Sequence, residues 1–147
     1  MKYSINCFLI VLFTESLFAM HLPQVIIQKQ QKNHTFEVRV ESEAFDSSQH
    51  DTSNLRNNMI NGKVAYGVDG ALPQTQISSL SVQIDGKAVN IPPALYSQFF
   101  NPNLHYENPK SLKTIDAYFF FFFFSIFIFM NGGDGSGAYS VVWTIDI

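Results

Sequence analysis

The sequence predicts a mainly β domain of about six or seven antiparallel strands, a sandwich or an open barrel, with one short helix. Three observations predict it: apolar and polar residues alternate at period two in several short runs, Asp85-Gly86 stands between two of those runs, and a glycine-rich turn leads into a last alternating segment. The length of 147 residues, 46% of them hydrophobic, suits one domain able to bury a core. Only 14% of residues are charged and the net charge is −3, so there is no basic field of the kind that recruits nucleic acid, and nucleic acid is set aside as a partner.

Residues 1–19 read as an export signal. Lys2 supplies a positive start, Cys7-Phe8-Leu9-Ile10-Val11-Leu12-Phe13 is an apolar stretch, and Ala19 is a small residue at which a signal peptidase would cut. An uncleaved N-terminal anchor and a cytosolic apolar segment are the alternatives, although the stretch is short of the roughly 20 apolar residues a membrane span needs. The expected organisation is therefore a signal peptide at 1–19 and a single β-rich domain at 20–147. Cys7, the lone cysteine, falls inside the signal. A mature chain without it forms no internal disulfide and is held by its core alone, in the periplasm or outside the cell.

Val25-Ile26-Ile27 begins a first strand, and Phe36, Val38 and Val40 alternate with Glu37, Arg39 and Glu41 in a second. Asn33-His34-Thr35 matches a glycosylation sequon and is read as a plain turn. Residues 43–61 are dominated by polar residues apart from Phe45, Leu55, Met59 and Ile60, which predicts a long connection with one helical turn near Leu55. Residues 63–68 read as a strand closed by Asp69-Gly70. Leu80, Val82 and Ile84, then Asp85-Gly86, then Val89 and Ile91 form the sharpest local signal, because both residues of a type I′ turn need positive φ and Asp-Gly supplies it cheaply. Pro92-Pro93 ends that strand, and a short helix follows until Asn101-Pro102 stops it.

The phenylalanine-rich run from Tyr118 to Met130 contains a low-complexity tract of six identical residues at 119–124 and has three readings. It is a buried strand over 125–130 that reaches back into the tract, a membrane-seeking segment, or a codon repeat. As a helix, residues 117–130 would reach only about 21 Å across a hydrocarbon core of about 30 Å. The final strand is clear, with Tyr139, Val141, Trp143 and Ile145 on the core face and Ser140, Val142 and Thr144 on the other.

Chemistry is sparsely signalled. The run Gly132-Gly133-Asp134-Gly135-Ser136-Gly137 lacks the lysine of a phosphate loop, precedes a strand rather than a helix, and does not place Ser136 between the glycines of a hydrolase elbow. It reads as a hairpin turn, with Asp134 as the one candidate metal ligand. His21, His34, His50 and His105 show no metal-ligand spacing. Asp69 and Asp134 stand beside glycines, where aspartate is favoured for backbone reasons. Trp143 with Tyr66, Tyr96 and Tyr139 could stack on a sugar, but the assigned face of Trp143 and Tyr139 is the core. No catalytic residue and no cofactor is assigned.

Tyr66-Gly67-Val68-Asp69-Gly70, the hairpin Leu80 to Lys87, Ile91-Pro92-Pro93-Ala94-Leu95-Tyr96 with Asn101-Pro102, and Gly132-Gly133-Asp134-Gly135-Ser136-Gly137-Ala138-Tyr139 together resemble a group of small exported bacterial proteins that has no assigned activity. The resemblance covers roughly residues 60–147; it implies a small β-rich exported domain and supplies no catalytic residue. The expectation is an exported, non-catalytic binding or accessory module of the cell envelope, with an unidentified protein or envelope component as partner. The alternative is a membrane-associated envelope protein that uses residues 118–130, and the third reading is a hydrolytic or carbohydrate-active enzyme.

Overall fold

Alternating residues of two antiparallel sheets meet face to face to make the core. The structure, a computed structural model, describes residues 24–31, 33–104, 114–120 and 125–146. The export signal expected at 1–19, with Cys7, and also His21 and His105, lie outside them.

The first sheet contains β1 (Gln24–Gln31), β2 (His34–Ala44), β5 (Thr75–Ile84) and β6 (Lys87–Val89), in the order β1-β2-β5-β6. The second contains β7 (Ile115–Phe120), β8 (Ser125–Gly132) and β9 (Tyr139–Asp146), in the order β7-β8-β9. Val25, Ile27, Phe36, Val38, Val40, Leu80 and Val82 of the first bury against Ile115, Phe119, Ile126, Ile128, Met130 and Trp143 of the second. This is a sandwich of antiparallel sheets and not a closed barrel, with each inner face apolar by simple alternation. Burying one such side chain contributes about 1.5–3 kcal/mol, so the shared core is what joins the sheets.

The hairpin at Asp85-Gly86 forms as the sequence predicts, with φ of 49° and 76° at its two central residues. Ile77 breaks the alternation set by Leu80 and Val82 yet is buried. A register shift between Glu41 and Ser42 leaves Ser78 as an extra residue on β5, and this bulge returns Ile77 to the core face.

Three expectations need correction. The strand expected over 125–130 forms as β8, but Phe119 and Phe120 at the start of the tract belong to a separate strand, β7, that pairs antiparallel with it, and residues 121–124 lie outside the described residues. Asp116, upstream of the tract, is drawn into β7 as well, held by Lys29 of β1 at 2.6 Å. The strand at 63–68 shrinks to Lys63–Val64, paired with Met59–Ile60 (β4 and β3), because Gly67 at φ 91° turns the chain away. The helix after Pro93 is a single 3-10 turn, Pro93–Leu95, because Phe99 and Phe100 are held by bridges to Tyr66 and Gln76. That turn still covers the core, since the Trp143 indole Nε1 donates to the Leu95 carbonyl at 2.8 Å.

The long connection between β2 and β5 is pinned by the apolar residues that interrupt it. Ile60, Ala65, Val68 and Phe100 form a second small cluster on which Phe45 and Leu55 pack, and Phe45 meets Phe100 edge-on at 5.6 Å. Its helical content is two 3-10 turns, Ser47–Gln49 and the expected one at Leu55–Asn57.

Candidate functional site

The segments that stand out in the sequence around Gly67, Asn101 and Gly133 converge at one end of the sandwich, and Asn101 ties them together. Its side-chain Nδ2 donates to the Gly67 carbonyl at 2.8 Å, while its Oδ1 accepts from the backbone N–H groups of Gln74 and Thr75 at 2.8 and 3.1 Å. Its own N–H donates to the Thr75 carbonyl, and its carbonyl accepts from the Gly133 N–H, both at 2.9 Å. The residue sits at φ 48°, a left-handed conformation that asparagine tolerates better than most residues. Sequence reasoning took Asn101 only as a helix stop; the Asn-Pro pair was the signal that it turns the chain.

Two glycines let the loops approach this closely. At Gly67 a Cβ would strike the Phe100 carbonyl and lie 2.9 Å from the Tyr139 ring, and at Gly133 (φ 66°) it would strike the Gly137 carbonyl and lie 3.0 Å from the Gly67 Cα. The glycine-rich segment is therefore the β8–β9 hairpin connection, closed by the 3-10 turn Gly135–Gly137.

Between these loops lies a cleft of about 430 Å³, lined in part by Asp69, Gln74, Asn101, Gly133 and Asp134. The structure thus brings Asp69 and Asp134 to one cleft, both exposed. Asp134 precedes the 3-10 turn without capping it through its side chain. Two exposed carboxylates can accept hydrogen bonds from water or hydroxyl groups, but among the described residues no group of three or more His, Cys, Asp or Glu side chains could hold a metal ion. Asp134 gains one acidic neighbour in the cleft, far from the six to eight oxygens of a calcium shell.

Beside the cleft, Tyr66, Phe99, Tyr139 and Trp143 form an aromatic stack: Phe99 lies 5.1 Å from Tyr66, 5.3 Å from Tyr139 and 5.5 Å from Trp143. Trp143 is buried as expected, and Tyr66 is 42% exposed. The Tyr139 hydroxyl lies over Gly132, buried and with no hydrogen-bond partner among the described residues. Burial pushes this phenol well above its ordinary range. His34 is paired instead with Asp85 at 2.7 Å, and His50 stacks on Phe45 and contacts Asn61.

The second candidate surface is the outward face of the three-stranded sheet. Tyr118, Phe120 and Val142 are 53%, 47% and 61% exposed there, with Phe127 and Phe129 half-buried between them. Phe120 and Phe127 meet edge-on at 6.3 Å. The outward face of the other sheet is polar, carrying Glu37, Arg39, Glu41, Ser79, Ser81 and Gln83, with Ser79 bonded to Glu41. Tyr118 also lies under the Lys29 ammonium, 4.2 Å from its ring centroid. Exposed apolar patches on a protein surface are commonly interaction sites, which makes this cluster, flanked by Thr144 and Asp146, a second candidate.

No known family matches the sequence, and neither a curated protein nor a solved structure matches it.

Proposed function

We propose that the protein is an exported, non-catalytic binding or accessory module of the cell envelope, and that it docks a partner on the outward face of β7-β8-β9. The observation that carries this reading is the contrast between the two outward faces, aromatic on one sheet and polar on the other. The N-terminal segment supports export, and the resemblance to small exported bacterial proteins agrees with it. The cleft at Asp69 and Asp134 offers two exposed carboxylates that can accept hydrogen bonds from a bound group. The test is a photoreactive amino acid installed in cells at position 127, with position 81 on the polar face as control. A discrete crosslinked partner from 127 alone, with the protein recovered in the soluble extract after osmotic shock, is the expected result. Absence of any crosslink from 127 refutes the docking reading, and hydrolytic activity of the purified protein that is lost in Asp134→Ala refutes the non-catalytic one.

The same face favours one alternative, association with a membrane through residues 118–130. Against it, Phe119, Ile126, Ile128 and Met130 of that segment are committed to the core, leaving alternate side chains for lipid among its described residues. Recovery in the membrane fraction resistant to salt would favour this alternative.

A further inference from the structure

Four strands border the two main sheets, and three of them carry a feature that discourages another chain from adding to them. β1 places Lys29 on its inward side, where the ammonium bonds Asp116. β7 has its Ala117 carbonyl occupied by that same ammonium at 2.7 Å. β6 is three residues long and opens with Lys87. β9 differs from all of them: it runs for eight residues in unbroken register against β8, contains no lysine, arginine or proline, and carries its one charge at the last position, Asp146. Among the described residues its ladder bonds go to β8 and none to a strand on the other side.

We propose that β9 is the strand through which a second copy of this chain adds, antiparallel about a two-fold axis, so that the two three-stranded sheets become one continuous sheet. A two-fold contact must be self-complementary, and β9 is. Antiparallel pairing keeps side chains of one face opposite each other only when the paired positions have the same parity, which leaves two registers of equal overlap, centred on Val142 and on Trp143; Trp143 is already buried, so the exposed Val142 is taken as the centre. Ser140 then faces Thr144, Val142 faces its own counterpart, and Asp146 falls opposite Ala138, so no like charges oppose each other. Val142, at 61% exposure, is the residue this pairing covers best. The apolar row of Phe129 and Val142 continues across the junction. Strand pairing alone buries less than the roughly 1,200–2,000 Å² of a stable complex, which makes the dimer reversible and concentration-dependent. This inference stands on the strand edge and not on the docking reading of the face.

The test follows the purified full chain by sedimentation equilibrium over a concentration series, with amide hydrogen exchange recorded in parallel. The expected result is a reversible monomer–dimer equilibrium in which β9 amides, and not those of β1, gain protection as concentration rises. Val142→Lys sets two ammonium groups opposite each other and weakens association by about tenfold or more, and an equimolar mixture of Val142→Lys and Val142→Asp recovers it. A chain that stays monomeric throughout overturns the proposal, as does a dimer whose β9 amides gain no protection. The exchange measurement uses the unsubstituted chain, so it decides even where a variant fails to fold, and crosslinking from position 127 succeeds or fails independently of it.

Discussion

Asn101→Ala removes the side chain that joins three loops. Three side-chain hydrogen bonds are lost, each worth about 0.5–1.5 kcal/mol net. The bond to the Gln74 N–H is exposed and water replaces it readily, whereas those to Thr75 and Gly67 are partly buried. Alanine must also hold φ near 48°, at a cost of about 1 kcal/mol relative to asparagine. The expected loss is about 3 kcal/mol, read as a fall of roughly 6–12 °C in Tm for a chain of this size and as a lower denaturant midpoint at unchanged slope. Asn101→Gly relieves the strain and not the lost bonds, so it should be the milder change by about 1 kcal/mol. The reasoning is refuted if Asn101→Ala lies within about 0.5 kcal/mol of the unsubstituted chain, or if the glycine variant is the less stable of the two.

Three further outcomes are expected. Lys29→Met takes from the buried Asp116 carboxylate the ammonium at 2.6 Å while the Ala117 N–H still donates to it, and should cost about 3 kcal/mol in urea unfolding, because breaking a buried ion pair by removing one partner is expensive. Tyr139→Phe removes a buried hydroxyl that has no partner among the described residues, and should be neutral or stabilising by up to about 1 kcal/mol; since the folded phenol is held above its ordinary range, it should also flatten the loss of stability that sets in above about pH 10, where only the unfolded chain gives up this proton. Asp85 is held below the usual carboxylate range by His34, and then by the Thr35 N–H. Its contribution is present above about pH 4 and lost as the pH falls through its lowered value, so Asp85→Asn should flatten the acid limb of a stability profile.

Local signals carried most of the fold. Alternation identified β2, β5 and β9, and Asp85-Gly86 fixed the hairpin because the turn chemistry is self-contained. What escaped were features decided by distant partners. Nothing near Ile77 announces the bulge, which exists to return it to a core built by the other sheet. The strand at 125–130 was legible, but that Phe119 and Phe120 belong to a different strand was not, because identical residues have no period and strand ends cannot be located among them. The cleft was half legible: Asp69, Asp134 and the glycines were visible, but that they share one opening depends on the five hydrogen bonds of Asn101, whose partners lie at Gly67, Gln74, Thr75 and Gly133.

The division of the phenylalanine run between two strands has an evolutionary corollary. Paired positions 119 and 120 are both phenylalanine, and so are the four residues that connect them to Ser125. If replication slippage adds or drops one codon in the run, a phenylalanine still stands at each paired position and only the connection changes length. Such an event therefore leaves the paired positions at the ends of β7 and β8 occupied by the same side chains. The repeat that obscures this part of the sequence thus lies where its own instability does least harm.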